Sequence, residues 1–261
     1  IIDKNVANFD GVKLESVFSC TGVSVSYTQN NSNIPVVSDI SFSVEKGEVV
    51  SVIGRSGVGK TTLLRLAAGS IIPDQGLIDV CGTPPYVARK DKRIGLVSQE
   101  DSLLPWLSVE GNVGVSLTMG QSLKDSKMND VSRMVESVGL SDYAGFYPHQ
   151  LSSGMKQRVA IARAFIHKPD LILLDEPFGH LDEITRTILR ETLINLCKQS
   201  KISVLLVTHS IDEALAVSDR VLTLAGMPSS IRHQMTVDEF SRSDLDSRSI
   251  LLESLGYEQV G

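Results

Sequence analysis

The chain has 261 residues, 42% hydrophobic and 21% charged, an ordinary globular balance with enough length to bury a full core. A formal net charge of −6 leaves no basic footprint for nucleic acid. Cys20, Cys81 and Cys197 lie far apart without a CxxC, so they read as reduced thiols of a cytosolic protein, and no apolar run approaches the roughly 18 residues of a membrane-spanning helix.

In chain order, the first residue is Ile1, which reads as a fragment or a processed product, and Ile1-Ile2-Asp3-Lys4 lacks the layout of a signal peptide. Residues 1–20 show no strong periodicity and are expected to be an irregular lead-in. Val23-Ser24-Val25-Ser26-Tyr27 alternates apolar and polar, a half-buried strand, and a polar turn at Gln29-Asn30-Asn31-Ser32-Asn33 follows. Ile40–Val44 alternates again, and Val49–Ile53 is an apolar strand suited to burial on both faces. A helix over Leu63–Ala68 ends at Gly69. Further strands are expected at Leu77–Cys81, Ile94–Ser98, Leu171–Asp175, Val204–Thr208 and Arg220–Ala225. Ile184, Ile188, Leu189, Leu193 and Leu196 recur at helical spacing. Residues from 109 to about 155 lack strand signals and read as an inserted helical lobe; the tail over 236–261 is polar and weakly patterned. The whole predicts an α/β fold: a mostly parallel sheet with helices on it, an N-terminal antiparallel β piece and the lobe, with 21–235 as the main domain.

Gly54-Arg55-Ser56-Gly57-Val58-Gly59-Lys60-Thr61 matches GxxxxGK[ST], between a strand and a helix. Its glycines let backbone N–H groups wrap phosphates at a helix N-terminus. Lys60 supplies a point charge for the outer phosphates, the Thr61 hydroxyl is a ligand for Mg²⁺, and Thr62 follows in the same turn. This makes the core a phosphate-loop ATPase that binds ATP and Mg²⁺. Leu171-Ile172-Leu173-Leu174-Asp175-Glu176 is a buried strand ending in two carboxylates. Beside a phosphate loop, Asp175 is placed to hold Mg²⁺ and Glu176 to face the attacking water; the repulsion between them is expected to raise one pKa.

Leu151-Ser152-Ser153-Gly154-Met155-Lys156-Gln157-Arg158 resembles the LSGGQ signature, with the usual KQR, of the ABC transporter ATPase family. The resemblance covers residues 22–225 as an ordered set: phosphate loop, Gln99, signature, Asp175-Glu176, Leu181-Asp182 and His209. It implies that Ser152, Ser153 and Gly154, opening a helix near Met155, and Asp182, the D-loop residue, face ATP held by a second copy of the chain. It also implies that His209 contacts the γ-phosphate, Gln99 reaches Mg²⁺ or the attacking water, and Tyr27 stacks on adenine. Catalysis then rests on Glu176, His209, Lys60 and Gln99.

Two positions depart from the pattern. Ser153 stands where glycine is usual, and a positive φ there would be strained; His180 replaces a small residue. Leu103-Leu104-Pro105-Trp106-Leu107, Gly154–Arg158, Asp175–Gly179 and Leu181–Arg186 are similar to importer ATPases for nitrate, sulfonates and taurine. That implies a homodimer on an integral membrane permease, served indirectly by a solute-binding protein, peripheral on the cytoplasmic face of the membrane. The segment from Glu100 to Leu107, with the sole tryptophan, is expected to receive the permease, unless Trp106 packs into the lobe's own core. An ABC exporter ATPase and a non-transport ABC ATPase acting on DNA or ribosomes are the alternatives. The short lobe, single cassette and acidic balance oppose the non-transport one. A non-hydrolysing cassette is opposed by Lys60, Asp175, Glu176 and His209.

Overall fold

Nine strands form one sheet in a computed structural model that describes residues 16–29, 32–99, 102–118, 125–179, 181–238, 241–242 and 244–256. The strands are β1 (Ser16–Gln29), β2 (Ser32–Glu45), β3 (Val49–Gly54), β4 (Gln75–Val80), β5 (Ile94–Val97), β6 (Leu171–Asp175), β7 (Ser203–Thr208), β8 (Arg220–Gly226) and β9 (Ser229–Thr236). Their order is β4-β1-β2-β9-β8-β3-β7-β6-β5. From β8 through β3, β7 and β6 to β5 every pairing is parallel; β1 pairs antiparallel with β2 and β4, and β8 with β9.

The central strands are mostly apolar because both faces are covered, with Ser51 in β3 and Ser203 and Thr208 at the ends of β7 as buried exceptions. Val50 and Val52 of β3, Leu171 and Leu173 of β6, and Leu205 and Val207 of β7 share a core with α1 (Lys60–Ala67), α2 (Pro85–Lys90) and the antiparallel piece. The alternate residues Ile172, Leu174, Val204 and Leu206 point the other way. They pack with α3 (Val109–Thr118), α4 (Asp125–Ser137), α5 (Ser153–Phe165) and α6 (Glu183–Ser200). A third cluster joins Ile53 to α7 (Ile211–Val217) and to Leu251 and Leu255 at the end of α8 (Leu245–Ser254). Burial pushes the Cys20 and Cys197 thiols up to about 12, and none of the three cysteines is in a disulfide.

Several expectations need adjusting. β1 begins at Ser16, inside the stretch read as irregular, because Val17, Phe18 and Cys20 are buried against β2 and β4. Residues 1–15, and Asn30 and Asn31 of the expected turn, lie outside the described residues. Ahead of the tail an unanticipated strand, β9, pairs with β8, and within the weakly patterned tail α8 starts at an Asp244 cap that accepts from the Ser247 amide at 3.0 Å. No helix among the described residues is long and apolar enough to cross a membrane.

In the region read as the lobe, α3 packs on α4 and α5. Ahead of α3 runs the loop 102–108, and fully buried Asn112 holds it. The Asn112 Oδ1 accepts from the Leu104 amide at 2.7 Å, and Nδ2 lies 2.9–3.1 Å from the carbonyls of Leu104, Leu107 and Ser108. The loop so held presents Trp106 at 68% exposure, so this tryptophan is not in the lobe's core.

Candidate active site

β3 feeds Gly54–Gly59, and α1 starts at Lys60. Gly59 sits at φ 105°, a conformation that favours glycine, and a Cβ there would stand tightly at 3.2 Å from Val36 Cγ1 and 3.3 Å from Ser229 Oγ. It is also the N-cap of α1 and offers no side-chain bond, which leaves the first amides of the helix for an anion. Lys60 is buried; its Nζ donates to the carbonyls of Gly54 at 2.9 Å and Arg55 at 3.2 Å.

The same ammonium lies 3.5 Å from Glu176 Oε1, and Glu176 Oε2 lies 3.0 Å from His209 Nδ1. One carboxylate thus spans the phosphate-loop lysine and the histidine that follows β7. Glu176 is held in the left-handed region at φ 45°, its amide donating to Val207 O at 2.9 Å. Such a conformation costs a non-glycine residue about 1–3 kcal/mol and persists only where the surroundings fix it.

Beside it, Thr61 Oγ1 donates to Asp175 Oδ1 at 3.4 Å. Burial raises the Asp175 carboxyl; the Thr61 hydroxyl opposes that, and the Glu176 charge adds to it. No group of three or more His, Cys, Asp or Glu among the described residues could form a cage for a metal. A hydroxyl with one carboxylate fits Mg²⁺, which commonly takes one or two carboxylates and completes its shell with phosphate and water.

The other expected residues divide into two groups. The Tyr27 hydroxyl lies 3.4 Å from Thr62 Oγ1, placing the ring beside the phosphate loop. Arg55, Ser56 and Gly57 are exposed on that loop, with Val58 half-buried, and Arg55 donates to Gly256 O at 2.9 Å, after α8. Gln99 is exposed just past β5, whose Val97 pairs with Leu174 next to Asp175. The signature forms the second group. Ser152 caps α5 by accepting from the Met155 amide at 3.3 Å, so the helix starts at Ser153 rather than near Met155. Ser153 is absent from the positive-φ positions and occupies the first helical position, so it carries none of the expected strain. Gly154 is the glycine that matters: a Cβ there would fall 2.1 Å from Thr185 Cγ2. Thr185 donates in turn to Asp182 Oδ2 at 2.6 Å, and Asp182 caps α6. His180 lies outside the described residues.

Sequence reasoning missed a buried polar group behind His209. Thr208 Oγ1 donates to Glu213 Oε2 at 2.5 Å and accepts from the Ser210 amide at 3.1 Å. Glu213 Oε1 lies 3.6 Å from Arg186 Nε, and Arg186 donates to Leu181 O at 2.8 Å. The signal for it was Ser210-Ile211-Asp212-Glu213, a capping-box pattern whose glutamate here turns to a threonine hydroxyl.

A family model described as ABC transporter matches residues 37–179. The chain is 42% identical over 214 residues to the aliphatic sulfonates import ATP-binding protein SsuB of Bacillus cereus, covering 82% of this chain and 83% of that protein. It is 42% identical over 225 residues to SsuB 2 of Pseudomonas syringae pv. tomato, covering 86% of this chain and 90% of that one. Among solved structures, the dimeric post-hydrolysis state of the ATP-binding cassette MJ0796 bound to ADP and Pi superposes with a TM-score of 0.75 at 26% identity, over 85% of this chain and all of that one. On the family match, the import ATPase relatives and the shared cassette fold, the chain belongs to the ABC transporter family and is one of its ATP-hydrolysing subunits.

Proposed function

We propose that this chain powers import of a small anion of the aliphatic sulfonate class, working as a pair of copies on an integral membrane permease. The observation that carries the ATPase half of this reading is the Glu176 carboxylate set between Lys60 and His209, next to the Thr61–Asp175 pair. The import half is supported by relatives named for sulfonate import. Nitrate and taurine are the neighbouring substrate classes. The chain sits peripherally on the cytoplasmic face, and a solute-binding protein delivers cargo from the other side.

In this reading the amides of residues 55–61 wrap the phosphates, and Tyr27 stacks on the adenine. Lys60 exchanges its loop carbonyls for phosphate oxygens. Thr61 and Asp175, with Gln99 at the edge, would hold Mg²⁺, whose charge would offset that of the outer phosphates. Glu176 accepts the proton of the attacking water at a carboxylate oxygen. His209, half-exposed at the end of β7, faces the γ-phosphate. Ser152, Ser153, Gly154 and Asp182 belong to the other group and serve the nucleotide of the partner copy, whose position is supported by the dimeric cassette with the same fold.

A mixing experiment tests the arrangement. Ser152→Arg and Lys60→Ala chains are each expected to be inactive, but mixed dimers hold one composite site free of both lesions. Recovery of about a quarter of the wild-type Mg-dependent hydrolysis fits two composite sites per dimer of which one is intact, in the half of dimers that are mixed. No recovery in dimers shown to be mixed would exclude action across the pair. Uptake of an aliphatic sulfonate against nitrate and taurine in vesicles with the permease tests the cargo.

A further inference from the structure

The group behind His209 is unusual for its position. Thr208 is fully buried and Glu213 is 7% exposed, yet they flank a histidine whose side chain is 57% exposed. Burial raises the Glu213 carboxyl, against the pull of Thr208 and of the Arg186, His209 and Arg190 charges. An apolar pair would fill this space without that desolvation. The bonds explain what the polar atoms do. The Thr208 hydroxyl is a donor to Glu213 and an acceptor from the Ser210 amide, so the residues on both sides of His209 are tied to one carboxylate. Ser210 also caps α7, accepting from the Glu213 amide at 3.3 Å. On its far side that carboxylate faces Arg186, which donates to Leu181 O and to Glu183 Oε2 in the first turn of α6. That turn is capped by Asp182 and packs through Thr185 on Gly154 of the signature helix.

We infer that Arg186, Glu213 and Thr208 are positioning residues that fix His209 against Glu176 and tie its setting to the turn of α6 that carries Asp182. This rests on the reading above that His209 acts in hydrolysis. Among the described residues the His209 ring bonds to Glu176 alone, so the direction of the ring follows from the backbone on either side. Loss of the Thr208 hydroxyl frees the Ser210 amide and lets residue 209 turn away from the carboxylate. Misplacement of this kind by about 1 Å costs rate on the order of 10²-fold.

The full chain is assayed for Mg-dependent ATP hydrolysis with Thr208→Val, Thr208→Ser and Glu213→Gln, each alone and combined with His209→Ala. Thr208→Val keeps shape and burial, and is expected to lower kcat about 10–100-fold with KM for ATP within about twofold. Thr208→Ser restores kcat to within a few fold of wild type. In the His209→Ala background the same changes alter the residual rate less than about twofold, because the residue they position is gone. Losses that persist undiminished without His209 overturn the inference, as does an unchanged kcat in Thr208→Val. If Thr208→Val does not fold, the cycle between Glu213→Gln and His209→Ala decides by the same criterion. Should His209→Ala itself hydrolyse at the wild-type rate, the role given to His209 falls and the inference with it; a loss in His209→Ala with none in Thr208→Val removes the positioning alone.

Discussion

The strand ends that carry Asp175, Glu176 and His209 and the loop that carries Trp106 are held by different means. At the strand ends, side chains hold one another: Lys60, Glu176 and His209 form a chain of contacts over a sheet buried on both faces. At the loop, the Asn112 amide holds the backbone of Leu104, Leu107 and Ser108, the Arg163 guanidinium donates to Ser102 at 2.8 and 2.6 Å, and the aromatic side chain displayed between them is exposed. The first arrangement fixes reacting groups where charge develops. The second fixes the course of the loop and leaves a large apolar side chain exposed, the surface proposed to meet a permease. The proposed chemistry and the proposed contact with a permease are thus separated in the residues that maintain them.

That separation can be broken from either end, and effects on the isolated chain should fall off in order. Glu176→Gln keeps the side chain's shape and is expected to lower turnover about 10²–10⁴-fold while ATP binding survives, seen as an ATP-bound dimer on a sizing column. Turnover near wild type would remove Glu176 as the base. Asn112→Ala leaves the Leu104 amide and its neighbouring carbonyls without their partner, at a cost of about 1–3 kcal/mol. Melting should drop by several degrees with hydrolysis by the isolated chain reduced far less than in Glu176→Gln. A variant that melts as wild type would mean the loop is held by something else. The smallest effect on the isolated chain belongs to Trp106→Ala, with melting and hydrolysis close to wild type, while binding to the permease weakens and vesicle uptake falls. If hydrolysis and melting fall together, the two regions are not separate and Trp106 supports the body of the protein.

Much of the architecture was legible because it depends on burial. Leu171–Leu174 and Val204–Val207 are apolar at every step and Val49–Ile53 at all but Ser51, which suits a strand covered on both faces, and all three are central strands. β9 escaped because Ser229–Thr236 is polar and only half covered, its place fixed by pairing with β8 rather than by its own pattern. α8 escaped for a similar reason, since few of its residues are buried, Leu251 the deepest. At the site, the phosphate loop and the carboxylate pair announced themselves by order and spacing. The left-handed backbone of Glu176 did not, because no glycine marks it. Neither did the tie from Glu213 to Thr208, since a serine three residues before a glutamate reads as a helix cap. Ser153 shows the converse: the expected strain belonged to a glycine preference, but the tight contact falls one residue later, at Gly154.

The order of strands also governs when the phosphate loop can exist during synthesis. β3 is made early, yet its two neighbours in the sheet are β7 and β8, more than a hundred residues later in the chain. The cluster under Ile53 is closed later still, by Leu251 and Leu255, and Arg55 meets Gly256. A nascent chain that has emerged only as far as the signature therefore holds the phosphate-loop residues without the sheet that shapes them. Its apolar β3 must wait for partners that come late, a long-range closure that is slow and exposes sticky surface meanwhile. Nucleotide binding should accordingly appear late on the ribosome, after β8 has emerged, rather than when Thr61 does.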